Sequence, residues 1–181
     1  MDYIHDLETG PDSPNVVYAV IETPKGNANK YEYDVKKKIF VLDRVLSSSV
    51  HFPGDYGFIP RTLDEDGDPL DILVLVTNPT FPGCTMAARP VALLGMIDGI
   101  KRDDKVLAVP RDDPRFNEFN DIQDIPDHIL KETAYLFETY KTLEGKNVKI
   151  IGWQNADAAK AMIRQCQLAK TKQNREPKMD K

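Results

Sequence analysis

The strongest constraint on this chain is a succession of short strand-forming runs cut by turn signals. "VVYAVIE" (16–22), "KYEYD" (30–34), "IFVLDR" (39–44), "YGFIPR" (56–61), "ILVLVT" (72–77), "RPVALLGMID" (89–98), "KVLAVPR" (105–111) and "VKIIGW" (148–153) are rich in Val, Ile, Leu and aromatic residues. Stretches such as "TPKGNAN" between the first two supply the turns. Short strands with such frequent turn signals predict a β-barrel or sandwich. Helical periodicity is confined to the C-terminal part. Ile129, Leu130, Leu136, Phe137 and Tyr140 share one face of a segment over 126–143, with Pro126 at its first turn and Gly145 past its end. Ala159, Met162, Ile163 and Cys166 form an apolar stripe over 156–170, with Asn155 as N-cap. The fold class expected is therefore α+β, mainly β, with two C-terminal helices. Residues 1–15 and 170–181 are polar and read as a loose arm and tail. No repeat or linker divides the 181 residues, so one domain over 1–181 is expected.

Charge excludes several function classes. The net charge is -5, with 29% charged residues, and no basic stripe or polybasic block stands out. Nucleic acid and anionic lipid are not expected partners. No apolar run reaches the length of a membrane span, and the acidic start "MDYIHDLETG" lacks the pattern of a signal peptide. Cys84 and Cys166 form no C-x-x-C pair. These features together predict a cytoplasmic protein.

Against this background "DEDGDPLD" (64–71) is the outlying stretch, with carboxylates at Asp64, Glu65, Asp66, Asp68 and Asp71 directly ahead of "ILVLV". Crowded carboxylates need protons or cations. Hard oxygen donors without His or Cys suit Mg²⁺, Mn²⁺ or Ca²⁺. Read alone, the cluster is equally a solvated acidic turn. It does not fit an EF-hand, since Leu70 and Thr77 stand where that loop needs ligands. A second acidic turn, "IDGIKRDDK" (97–105), carries Asp98, Asp103, Asp104 and Lys105 and also follows an apolar strand. By itself it reads as a charged hairpin. Two such turns at strand ends could face each other and share cations. Lys30 and Glu32 alternate onto one strand face, and Arg44, Tyr140 and Lys141 are scattered polar residues that singly would be ordinary surface or core.

The stretch D66-G-D-P-L-D71-I resembles, position for position, the signature of the soluble inorganic pyrophosphatases. The similarity runs from about Val17 to about Cys166 through "IETP" (21–24), "KYEYD", "VLDR" (41–44), "GDYGFIP" (54–60), "PGC" (82–84), "MID" (96–98), "DDKVLAVP" (103–110), "FETYK" (137–141) and "GW" (152–153). The resemblance implies a closed five-stranded OB-like barrel with additional strands. It also implies hydrolysis of inorganic pyrophosphate by a metal-activated water, with several Mg²⁺ ions per site and Mn²⁺ as a possible substitute. The short termini resemble the prokaryotic type, which implies a homohexamer.

Carried over by position, Asp66, Asp71 and Asp103 would hold the first metal, and Asp71 would bridge to a second. Asp98 and Asp103 would help bind metals that arrive with the substrate, and Glu32 would take part through water. Lys30, Arg44, Tyr56, Tyr140 and Lys141 would hold phosphate groups, with Lys105 and Glu22 at further polar positions. Asp68 would assist deprotonation of the attacking water. Asp64 and Glu65 remain solvated loop charges. Where the family often has Tyr before the Pro of its PxxYG segment, this chain has Phe52, which is left out of the site. Two rival readings are a nucleotide phosphohydrolase and an OB-fold binding module without catalysis. The acidic charge and the complete set of metal carboxylates weigh against the second.

Overall fold

A computed structural model describes residues 1–65 and 67–168. The expected tail over 170–181 and the candidate ligand Asp66 lie outside the described residues. The strands are β1 (Val17–Thr23), β2 (Asn29–Asp34), β3 (Ile39–Val45), β4 (Asp55–Phe58), β5 (Asp71–Val74), β6 (Thr85–Asp98), β7 (Lys101–Arg102), β8 (Lys105–Pro110) and β9 (Val148–Asn155); the helices are α1 (Asp127–Thr139) and α2 (Ala156–Cys166). The mainly β class with two helices is as the sequence predicts.

Strand pairing runs round a ring. β1 pairs β4, β4 pairs β5, β5 pairs β8, β8 pairs β6, and β6 returns to β1. Of these pairs only β5 with β8 is parallel. The long strand β6 also pairs β7 and β9, while β2 and β3 form a separate hairpin. Gly57 is required where β4 meets β1, since a Cβ there would lie 1.9 Å from the Val20 carbonyl oxygen.

Near-continuous burial of β6 reflects packing on both its faces. Leu94 and Met96 join Phe52, Tyr56, Leu107, Leu136 and Phe137 in a cluster with residues of α1. Leu93 and Ala88 join Ile21, Ile72, Val106, Ala159 and Ile163 in a cluster with residues of α2. A smaller cluster ties the β2–β3 hairpin to β1 and β4 through Ile4, Val20, Tyr33 and Phe58. Among the described residues no helix is long and apolar enough to cross a membrane.

Both helices are shorter than their periodicity predicts. α1 stops at Thr139, and a separate 3-10 turn over Thr142–Glu144 ends at Gly145 with φ 72°. The Leu143 side chain, counted within the helix by its pattern, is largely exposed. α2 starts as expected, with the Asn155 side chain accepting from the Ala158 N–H. It ends at Cys166 because Gln167 turns extended and pairs with Thr62. The Leu63 N–H then donates to the Cys166 carbonyl and the Leu168 N–H to that of Arg61.

Candidate active site

The parallel pairing of β5 with β8 sets Asp71 opposite Lys105. Side-chain alternation puts Asp103 on the same side as Lys105. The Lys105 ammonium donates to both carboxylates, Asp71 and Asp103. Lys105 is 3% exposed, so this charge is neutralised inside the protein rather than by water. Burial alone would lower its pKa, but the Asp71 and Asp103 charges outweigh burial and raise it.

A cavity of about 340 Å³ opens over this cluster. β2 contributes Lys30 and Glu32, β3 contributes Arg44, and β4 contributes Tyr56. Asp68 lines it from the acidic turn, Asp98 from the end of β6, and Tyr140 and Lys141 from the turn after α1. Every described residue that the sequence predicts for the site therefore lines one space. Glu22 of β1 lines it too, as do Ile4, Tyr33, Val35, Phe58 and Pro69, for which the sequence reading had no expectation.

Acids and bases alternate around the cavity in bonded pairs. The Lys30 ammonium donates to Glu32 and lies 3.9 Å from Asp43. The Lys141 ammonium donates to Asp98 and stands over the Tyr140 ring at 5.0 Å from its centroid. Arg44 donates through Nε to Asp43 at 2.7 Å and through Nη1 to Glu144 at 2.9 Å. Glu144 was missed by the sequence reading; it lies 100 positions along the chain from Arg44, so no local pattern could pair them.

Besides Lys105, two more groups in the cavity are strongly shifted. Burial pushes the Glu22 carboxyl up to about 8; the Tyr33 N–H it accepts works against this, and the nearby Asp71 charge adds to it. Burial also pushes the Tyr56 phenol well above its ordinary value, reinforced by Asp71. Phe52 does not line the cavity. It stacks on Tyr56 with centroids 5.1 Å apart and is 1% exposed, an apolar support for that ring.

The donor chemistry suits a hard divalent cation. Asp71, Asp98, Asp103 and Glu32 present only carboxylate oxygens, and each accepts from an ammonium group. Asp71 and Asp103 already share one cationic group. Among the described residues no three acidic or thiol/imidazole side chains converge as a ready ligand set. The carboxylates instead face lysines, which a bound anion could draw away.

A family model described as inorganic pyrophosphatase matches residues 19–170. The inorganic pyrophosphatase of Halobacterium salinarum is 55% identical over 163 residues, which is 90% of this chain and 92% of that one. That of Haloferax volcanii is also 55% identical, over 87% of this chain and 90% of its own. The crystal structure of the inorganic pyrophosphatase from Thermus thermophilus superposes with a TM-score of 0.87 at 47% identity, covering 91% of this chain and 96% of that one. Likeness in sequence, in fold and along nearly the full length of its relatives makes this chain a member of the inorganic pyrophosphatase family.

Proposed function

We propose that the chain hydrolyses inorganic pyrophosphate to two orthophosphates by direct attack of water, dependent on Mg²⁺ and without a covalent enzyme intermediate. The observation that carries this reading is the interleaving of carboxylates and cations around one cavity. Pyrophosphate is a dense anion, and its hydrolysis needs negative charge neutralised while a nucleophile is brought in line. Asp71, Asp98, Asp103 and Glu32, with Asp66, would hold the metals. Bound Mg²⁺ supplies charge neutralisation and eases deprotonation of the attacking water.

The protein's own groups do the rest. Asp68 accepts the proton of the attacking water. Lys30, Arg44, Tyr140 and Lys141 hold the phosphate oxygens and offset the charge that grows on the leaving phosphate. Lys105 keeps Asp71 and Asp103 together, and Tyr56, which lines the cavity, would hold a phosphate group through its phenol. Ammonium groups bonded to carboxylates trade partners when the anion arrives, so substrate and metals are expected to bind interdependently.

Mn²⁺ is expected to substitute in part. A cytoplasmic homohexamer, with 1–181 as one domain, completes the proposal, and sedimentation tests the oligomer. Substrate class is tested by comparing phosphate release from Mg-pyrophosphate with that from Mg-nucleoside triphosphates. Pyrophosphate is expected to be the far better substrate, and faster turnover of the nucleotide would overturn the assignment.

A further inference from the structure

Behind the cavity, a side chain patches the β ladder. β6 pairs β8 as far as Leu94 opposite Lys105, and pairs β7 from Ile97 opposite Arg102. Across the gap the Asp103 N–H donates to the Met96 carbonyl at 3.1 Å. The Met96 N–H donates to Asp104 Oδ1 at 3.2 Å, and Arg102 Nε donates to Asp104 Oδ2 at 2.8 Å. The Asp104 carboxylate is fully buried, whereas the Arg102 side chain is 43% exposed. Neither residue lines the cavity. Alternation turns Asp104 away from the side on which its neighbours Asp103 and Lys105 meet.

The charge of the acidic turn also reaches Arg102. The hydrogen bond to Asp104, then the Asp104 charge, raise the guanidinium pKa, and Glu65 and Asp64 add to it. Asp64 brackets that turn: its N–H donates to the Asp68 carbonyl at 2.8 Å, and its carbonyl accepts from Gly67 at 3.1 Å. Asp64 Oδ1 further lies 3.7 Å from Cys166 Sγ. Asp64 is thus less a solvated loop charge than the sequence suggests. The Asp104 carboxylate, held by Arg102 of β7 and by the Met96 N–H of β6, thus ties the end of β6 that carries Asp98 to the segment that carries Asp103.

We propose that Arg102 and Asp104 are positioning residues that hold the two acidic strand ends in register and so strengthen divalent-cation binding. The inference rests on the metal-binding reading of the cavity. Its sign separates it from simple electrostatics. Removing a nearby positive charge should by Coulomb's law tighten cation binding, whereas removing a positioning contact should weaken it, by about 10-fold in comparable outer contacts.

The test is calorimetric titration of the full chain with Mg²⁺ alone. Arg102→Gln should weaken Mg²⁺ binding about 10-fold, and Arg102→Lys, which keeps a donor near Asp104, should recover most of the loss. Asp104→Asn should add little on top of Arg102→Gln, because the two act through one contact. Melting in chelator confirms that the variants are folded, and the half-exposed Arg102 tolerates substitution even if Asp104 does not. Equal or tighter Mg²⁺ binding by Arg102→Gln would overturn the proposal while leaving the metal reading intact. Absence of Mg²⁺ binding by the unsubstituted protein would overturn both.

Discussion

Replacing Lys105 by Met removes the buried cation that Asp71 and Asp103 share. Met preserves most of the stem volume, so packing against Phe137, whose ring centroid lies 5.9 Å from the ammonium, changes little. The electrostatic loss is larger. The two carboxylates are 23% and 14% exposed, too enclosed for water to replace the ammonium fully. Removing one partner of such a buried ionic group costs about 3 kcal/mol. In a chain of this size that lowers the melting temperature by roughly 6–12 °C. In chelator, urea or thermal unfolding should therefore show Lys105→Met clearly destabilised. Saturating Mg²⁺ should reverse much of the loss, because the ion can then neutralise the same carboxylates without competition. A tenfold gain in Mg²⁺ affinity would add about 1.4 kcal/mol of stabilisation beyond that of the unsubstituted protein at the same Mg²⁺ concentration. Equal stability of the two proteins in chelator, or an Mg²⁺ effect no larger in the variant, would show that Lys105 does not neutralise these carboxylates.

Asp71→Ala should lower pyrophosphate turnover on the order of 1,000-fold, about 4 kcal/mol of transition-state stabilisation, with circular dichroism unchanged; a folded variant of near-normal rate would reject Asp71 as a metal ligand. Lys141→Ala should raise the KM for pyrophosphate roughly 10-fold, as expected for losing one charged phosphate contact, while Mg²⁺ affinity by calorimetry holds steady; an unchanged KM and kcat would contradict its phosphate role. Glu22 gives a pH prediction for the protein in chelator. Its folded pKa of about 8 exceeds the ordinary 4.5, so the folded state holds a proton that the unfolded state has lost, and stability falls as pH rises from about 4.5 through about 8. The gap bounds the effect at about 5 kcal/mol, and Glu22→Gln should flatten the profile; identical profiles for both proteins would show that Glu22 is ionised in the fold.

Much of this architecture was legible because the information is local. Strand formers and turn residues alternate along the chain, and "DGDPLD" carries its aspartates, glycine and proline in one stretch. What was not legible depends on distant partners. The α2 pattern continues past Cys166, but extended pairing of Gln167 with Thr62 ends the helix there. β7 is a two-residue strand, too short for any periodicity, and exists because β6 extends beside it. Gly99 at φ 64° makes the tight reversal that sets Asp98 over Lys101. In "KRDDK" the sequence cannot tell which aspartate faces the cavity. The fold divides them, Asp103 toward Lys105 and Asp104 into the ladder beside Met96. Asp43 and Glu144 as partners of Arg44 differ in the same way. The first is adjacent, whereas the second needed the tertiary fold to bring α1's following turn against β3.

If cations held by these carboxylates let the cavity hydrolyse pyrophosphate, catalysis must follow the free metal concentration. The most direct test is the initial rate of phosphate release from pyrophosphate while Mg²⁺ is titrated against a chelator. Rapid release is expected that rises with free Mg²⁺, saturates, and vanishes reversibly in excess chelator. Release that continues undiminished in chelator, or no release at saturating Mg²⁺ from the folded protein, would contradict it.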